Sequence, residues 1–394
     1  MTPSPKILAL ILAGGKGSRL EVLTDARAKP ALPFGGSYRL IDVPLSNLTH
    51  SGMPDVWIIE QYRPHWLNEY LAGGRPWDLD RTRGGFRVLP PFEGRDQEGF
   101  AKGNAEALHQ HVSFLREYGA DLLLVLSADH LYRLDYRDLV ERHITTEADL
   151  TMVTTTVDKE EASRFGVVET DGGGRVTDFA YKPDEPQNNV VTAEVFLFNA
   201  DTLLDTLDEL AEEGELEDYG DQLIPHLVEQ ARVYAFSLNG YWRDVGTVES
   251  YWEAHMDLLD EKTFQLDDTA WPLLTGGRQR QPARVAKGAT LEDALVSQGC
   301  TVHGEIKCSV LAPGVVVEQG ASVRNSVVLE DVIVRSGAQV RNAVLDKGVE
   351  VGQGAKVGGE GDITLVGMDV KVEEGVVVKA GEHLEPQVED KNDG

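Results

Sequence analysis

The strand-like run Ile7–Ala13 leads into Gly14-Gly15-Lys16-Gly17-Ser18-Arg19-Leu20. Glycines in such a turn let backbone N–H groups approach phosphate oxygens with no Cβ in the way. Lys16 and Arg19 add positive charge, and Lys29 in Arg27-Ala28-Lys29-Pro30 adds more. The spacing is not that of a P-loop, nor the Gly-x-Gly-x-x-Gly of a dinucleotide site. Taken alone, the turn fits either a phosphate site or a plain loop. A second apolar run, Leu122–Ser127, ends at Asp129-His130. An aspartate at the carboxyl end of a buried strand is placed to hold Mg²⁺, although a turn or helix-cap role uses the same residue. Asp244, in Tyr241-Trp242-Arg243-Asp244-Val245-Gly246-Thr247, is a second candidate. Two carboxylates with retained waters suit one octahedral Mg²⁺ that also binds nucleotide phosphates.

These residues need a scaffold, and the hydrophobic pattern describes one. From Ile7 to about Leu258, apolar runs (Ile7–Ala13, 56–61, Leu122–Ser127, 150–157, 190–198) alternate with amphipathic stretches such as 106–117 and 136–143. That alternation predicts an α/β domain, Rossmann-like, with a mainly parallel sheet covered on both faces. Ligands of such sheets bind at the carboxyl ends of the strands. The pattern fails over 259–284, where Gly276, Gly277 and 278–282 read as a linker.

From Gly288 a Gly-x-x-aliphatic unit recurs, with Val317, Val323, Leu329, Val334, Val340, Leu345, Val351 and Val357 five or six apart. A six-residue period predicts a parallel β-helix whose sides each point one aliphatic inward. A β-sandwich would need longer strands at wider spacing. The expected organisation is a catalytic domain over 1–258, a linker over 259–284, a β-helix over 285–380 and an acidic, disordered tail over 381–394.

The formal charge of −29 argues against nucleic acid or an anionic membrane as a partner, so any phosphate site must be built from a few placed cations and N–H groups. An acidic surface of this kind aids solubility, with adaptation to high salt as the minor reading. Cys300 and Cys308 are too few for a disulfide framework or a zinc site. The first residues lack a secretory pattern, and no apolar run approaches the ~20 residues of a membrane span, so a cytoplasmic address is expected.

The ordered motifs carry a resemblance. Residues 12–20, 27–30, Phe34-Gly35-Gly36, Tyr38-Arg39-Leu40-Ile41-Asp42, Leu45-Ser46-Asn47 and Gln61-Tyr62 are joined by Ala128-Asp129-His130-Leu131-Tyr132, Phe165-Gly166-Val167, Lys182-Pro183 and 241–247 with Tyr251-Trp252. Over nearly its whole length the chain resembles the glucose-1-phosphate adenylyltransferases (ADP-glucose pyrophosphorylases) of bacterial glycogen synthesis. The resemblance implies a Rossmann-like catalytic domain followed by a left-handed parallel β-helix, and a homotetramer. It also implies in-line attack of a sugar-phosphate oxygen on the α-phosphorus of a nucleoside triphosphate, most simply ATP, with loss of pyrophosphate. Such a reaction depends on positioning and charge neutralisation. On this resemblance Leu12, Ala13, Gly14, Gly15, Gln61 and Gly103 bind nucleotide, and Arg19 and Lys29 hold the triphosphate. Asp129 and Asp244 ligate Mg²⁺, and Lys182 binds the sugar phosphate together with positions 101, 166, 181, 192 and 194.

The sugar side departs from the family. Its Trp-Tyr-x-Gly-Thr-Ala-Asp-Ala is here Phe100-Ala101-Lys102-Gly103-Asn104-Ala105-Glu106-Ala107, so a phosphate-binding tyrosine becomes Ala101. Its Glu-Lys-Pro becomes Tyr181-Lys182-Pro183, and its Ser-Met-Gly becomes Thr192-Ala193-Glu194. The Gln-rich segment before these is replaced by Pro90-Pro91-Phe92-Glu93. Changed contacts in one pocket suggest a changed sugar, with Glu194 either replacing the lost glutamate or pairing with an amino sugar such as glucosamine 1-phosphate. A non-catalytic regulatory subunit is the alternative, and a β-helix acyltransferase a weaker one, since only His303 and His383 lie in or beside the repeats. The family's anionic allosteric effectors bind basic residues; one such position is Ala26 here, which leaves Arg39 as a candidate or as a structural ion pair.

Overall fold

The computed structural model describes residues 4–15, 17–90, 101–214, 216–260 and 263–386. Lys16, Phe100 and all of Pro90-Pro91-Phe92-Glu93 but Pro90 lie outside them. Spatial contacts divide the chain into two compact units: Met1–Gly15 with Val43–Trp242, and Lys16–Asp42 with Arg243–Gly394. The second unit thus takes the 16–42 segment as well as 259–284.

The first unit is built on nine strands: β1 (Ile7–Ala13), β2 (Val56–Glu60), β3 (Phe86–Leu89), β4 (Leu122–Ser127), β5 (Leu150–Thr156), β6 (Gly166–Thr170), β7 (Val176–Tyr181), β8 (Val190–Asn199) and β9 (Val233–Ser237). The main order is β7-β6-β8-β4-β1-β2-β3, with β5 joining β8 to β9. β3, β2, β1 and β4 are mutually parallel, as are β5 and β9. β8 is antiparallel to β4, β5 and β6, and β7 to β6. The mainly parallel α/β sheet is therefore as the apolar runs predict. β1 has its last six residues buried because its two neighbours and the layers on both faces leave it no solvent side.

One face of this sheet, through Leu8, Leu10, Leu123, Val125, Phe196 and Phe198, packs on helices Asn104–Gln110, Val112–Tyr118, Ala200–Glu213 and Ile224–Gln230. Each such side chain contributes roughly 1.5–3 kcal/mol on burial. The amphipathic stretch 106–117 is two helices rather than one, because His111 between them has φ −102 and ψ 2. Trp57 and Trp77 are core residues, whereas Trp66 is exposed.

In the second unit short parallel strands stack in coils. Val302, Val317, Val334, Val351 and Val372 line one side; Ile306, Val323, Val340 and Val357 a second; Leu311, Val328, Leu345 and Val366 a third. All are buried and form one apolar column. The residue on the third side is Val328, not Leu329 as the six-residue count has it, because a corner with left-handed backbone at Asn325 shortens that side. His383 and Leu384 pair with Leu365 and Val366, so the expected disordered tail begins with one more strand, and 387–394 lie outside the described residues. Among the described residues no helix is long and apolar enough to cross a membrane.

Candidate active site

In the first unit, parallel pairing of β1 with β2 sets Ala13 opposite Glu60, so the turn after β1 meets Gln61. Leu12 and Ala13 are buried as the last residues of β1. A Cβ on Gly14 would lie 2.8 Å from Gln61 Oε1, while one on Gly15 would meet nothing within 4 Å. Gly15 therefore leaves open backbone at a strand's carboxyl end, whereas Gly14 is closed on its Cβ side by the Gln61 side chain. Glu60, only 1% exposed, carries a pKa raised to about 7 by burial, against which the Asn68 amide works.

The neighbouring strand β4 delivers Asp129. Its carboxylate accepts a hydrogen bond from Ser127 Oγ and lies 3.8 Å from His130 Nε2. His130 is 3% exposed, packs edge-on to Trp242, and directs Nδ1 to the carbonyl of Ala193 at 3.0 Å. That bond fixes the ring, so Nε2 faces Asp129 and, also at 3.8 Å, Glu194 Oε2.

The sugar-side residues gather at the ends of β7 and β8. Lys182 Nζ donates to Tyr181 Oη at 2.6 Å, and Tyr181 donates to Asp218 at 2.8 Å. Burial, with the Asp218 and Glu194 charges, holds the Tyr181 hydroxyl above the phenolic range, so it stays a donor to Asp218. Lys182 itself has a left-handed backbone, φ +46. Thr192 is buried and accepts the Glu194 N–H at 3.2 Å. The structure adds Asp218, Tyr219 and Gly220, absent from the sequence-derived set. A Cβ on Gly220 would lie 2.2 Å from the Tyr181 ring, so that glycine is what lets the tyrosine lie flat there. No local motif marks these residues, because their partners are distant in the chain.

Three predicted positions have packing reasons. A Cβ on Gly103 would come within 2.4 Å of the Glu217 backbone, and one on Gly166 within 2.5 Å of the Phe179 ring. Ala101 packs on the main core cluster.

In the second unit Lys29 and Asp244 are brought together, Nζ to Oδ1 3.6 Å, both largely buried. Arg19, at the start of a 3₁₀ turn (Ser18–Thr24), is exposed. Arg39 donates to the Ala31 carbonyl and to Glu330, 3.2 Å away, which is the structural ion pair of its two readings. Among the described residues no three His, Cys, Asp or Glu side chains form a ready metal cage. Mg²⁺ needs none, because it takes one or two carboxylates and completes its shell with water and phosphate.

Residues 8–261 match the Nucleotidyl transferase family, and residues 281–379 match the family described as GlmU-like, C-terminal hexapeptide. A glucose-1-phosphate adenylyltransferase of Clostridium novyi is 44% identical over 95% of this chain and 99% of its own length. The chain belongs to the glucose-1-phosphate adenylyltransferases. Other adenylyltransferases of this family are similar: that of Thermotoga maritima is 44% identical over 80% of this chain and 76% of its own. That of Geobacillus stearothermophilus is 42% identical over 81% and 83%. The parallel coils of the second unit are accordingly the left-handed β-helix that hexapeptide repeats build. Adenylyltransferases of this kind act on small molecules with the help of a divalent metal.

Proposed function

We propose that this enzyme transfers an adenylyl group from ATP to α-D-glucose 1-phosphate, forming ADP-glucose and pyrophosphate with Mg²⁺, and serves glycogen synthesis. The observation that carries this reading is the 44% identity to the Clostridium novyi glucose-1-phosphate adenylyltransferase across 95% of the chain. An oxygen of the sugar phosphate attacks the α-phosphorus while its bond to the bridging oxygen of pyrophosphate breaks. No general base is required, because the attacking phosphate is already ionised near neutral pH. Bound Mg²⁺ would neutralise the charge that builds on the transferring phosphoryl oxygens.

In this reading the N–H groups of Gly14 and Gly15 hold phosphate, Gln61 borders the base, and Arg19 and Lys29 offset triphosphate charge. Asp129 and Asp244 are the proposed metal ligands, and Lys182 the partner of the sugar phosphate. Cytoplasmic location, a homotetramer and an anionic effector are proposed from the family resemblance alone.

The test is pyrophosphate release with Mg²⁺ over a grid of four nucleoside triphosphates and several sugar 1-phosphates, glucosamine 1-phosphate among them. ATP with glucose 1-phosphate should give the highest kcat/KM, and Asp129→Asn should lower it at least ~100-fold. A higher kcat/KM with another sugar or base would refute the substrate assignment. No turnover by folded protein with any pair would replace the enzyme by a regulatory subunit.

A further inference from the structure

Glu194 sits in backbone geometry that a glutamate disfavours. Its φ is +54, in the left-handed region where a Cβ is crowded. The pairing of β8 with β5 shifts register between Thr192 and Phe196, so Glu194 lies in a β-bulge, and bulges re-aim side chains beside active sites. Three separate bonds hold the bulge. Thr192 Oγ1 accepts the Glu194 N–H, the Ala193 carbonyl accepts from His130 Nδ1, and the buried Tyr219 hydroxyl is hydrogen-bonded to the Glu194 carboxylate. A strained conformation persists only where its surroundings over-determine it, and such strain gathers at ligand sites.

The direction in which the bulge turns Glu194 matters. The next residue, Val195, pairs with Leu126, so Glu194 stands at the carboxyl end of β4, the edge where α/β sheets bind ligands. Its side chain keeps 26% exposure although Thr192, Ala193 and Val195 are all buried. The Lys182 ammonium lies 4.2 Å from the Tyr181 ring centroid, and the Glu194 charge acts on the hydroxyl of the same tyrosine. A phosphate is drawn to the ammonium and repelled by the carboxylate, whereas sugar hydroxyls, which donate hydrogen bonds, are matched by the carboxylate.

We infer that Glu194 is the sugar-specificity residue of this enzyme: its carboxylate, held out by the β8 bulge, accepts hydrogen bonds from the ring hydroxyls of the sugar 1-phosphate whose phosphate Lys182 binds. The strained backbone is the cost of presenting a carboxylate from β8, in a pocket where position 181 carries a tyrosine. Tyr219 is a positioning residue, because it holds the carboxylate from a buried position.

This inference rests on the proposed reaction, and Glu194→Gly separates the two. Glycine relieves the left-handed strain and removes the acceptor together. Thermal melts should show Tm equal to or above that of the wild type, while steady-state assays show KM for glucose 1-phosphate raised at least ~100-fold and KM for ATP within about twofold. Glu194→Gln, which keeps shape and strain, should raise the sugar-phosphate KM about tenfold. An active wild type whose two variants keep their KM for glucose 1-phosphate would overturn the role of Glu194 alone. A Glu194→Gly protein with lower Tm and unchanged KM would make the residue structural. Absence of wild-type turnover would instead refute the reaction on which the inference depends.

Discussion

Removing one half of the Arg27–Asp346 pair should be among the most destabilising single changes in the second unit. The Arg27 guanidinium, 5% exposed, bonds through Nη2 to both oxygens of Asp346, which is 0% exposed. Burial alone would lower the arginine's pKa, but the Asp346 charge and hydrogen bond outweigh it and keep the group above its ordinary value. Arg27 Nε and Glu330 Oε2 are also buried with no hydrogen-bond partner among the described residues, so the site has little means of absorbing an unpaired charge. Asp346→Ala should therefore cost about 4 kcal/mol, within the roughly 3–5 kcal/mol expected when a buried ion pair loses one member. At about 2–4 °C per kcal/mol for a unit of this size, the apparent Tm should fall by about 8–16 °C. The paired replacement Arg27→Met with Asp346→Leu should recover most of the loss, since two apolar groups leave no charge to strand. Circular-dichroism melts and urea unfolding of the wild type, both single variants and the double variant give the full cycle. High salt should leave the wild-type value nearly unchanged, because a buried pair is poorly screened. An Asp346→Ala protein within about 1 kcal/mol of the wild type would refute the argument, as would a double variant no better than the single one.

Other outcomes follow from single positions. Glu60 has its pKa raised to about 7 by burial, so the folded chain binds that proton more tightly than the unfolded chain, and the stability it contributes is full below about pH 4.5 and lost as pH rises through 7. Glu60→Gln should match the wild type near pH 4 and exceed it by about 3 kcal/mol at pH 8 in guanidinium unfolding; equal stability at both values would be inconsistent with a neutral buried carboxyl. Cys308 has φ +45 at a coil corner where Asn325 and Asn342, both at φ +47, occupy the following turns. Because asparagine tolerates this geometry better, Cys308→Asn should stabilise the protein by about 0.5–1 kcal/mol, read as a higher urea midpoint; a lower midpoint would contradict the strain. Gly14→Ala should lower kcat/KM for ATP at least tenfold with Tm changed by less than about 2 °C, because the atoms nearest the added Cβ belong to the flexible Gln61 side chain; loss of folding instead would place Gly14 in the scaffold.

Much of the architecture was legible because it is periodic. Buried runs such as Ile7–Ala13 and Leu122–Ser127 have one physical solution, a strand covered on both faces, and the recurring aliphatics after Gly288 have one, a stacked coil. Gly14 and Asp129 stood out as candidates by residue type at strand ends, and Lys182 through the family resemblance; their roles are proposals. What the sequence left open required distant residues to meet. Arg27 and Asp346 are 319 positions apart, and no local pattern announces that they pair or that residues 16–42 belong with the C-terminal unit. The choice of Val328 over Leu329 was decided by the Asn325 corner, since both residues are aliphatic and only backbone geometry distinguishes them. The same holds on the sugar side. Glu194 was visible as a carboxylate out of place, but its direction came from the β8 bulge, His130 and Tyr219. Patterns that repeat along the chain report local burial, whereas a site assembled from separated strands depends on register and backbone strain, which tertiary packing alone sets.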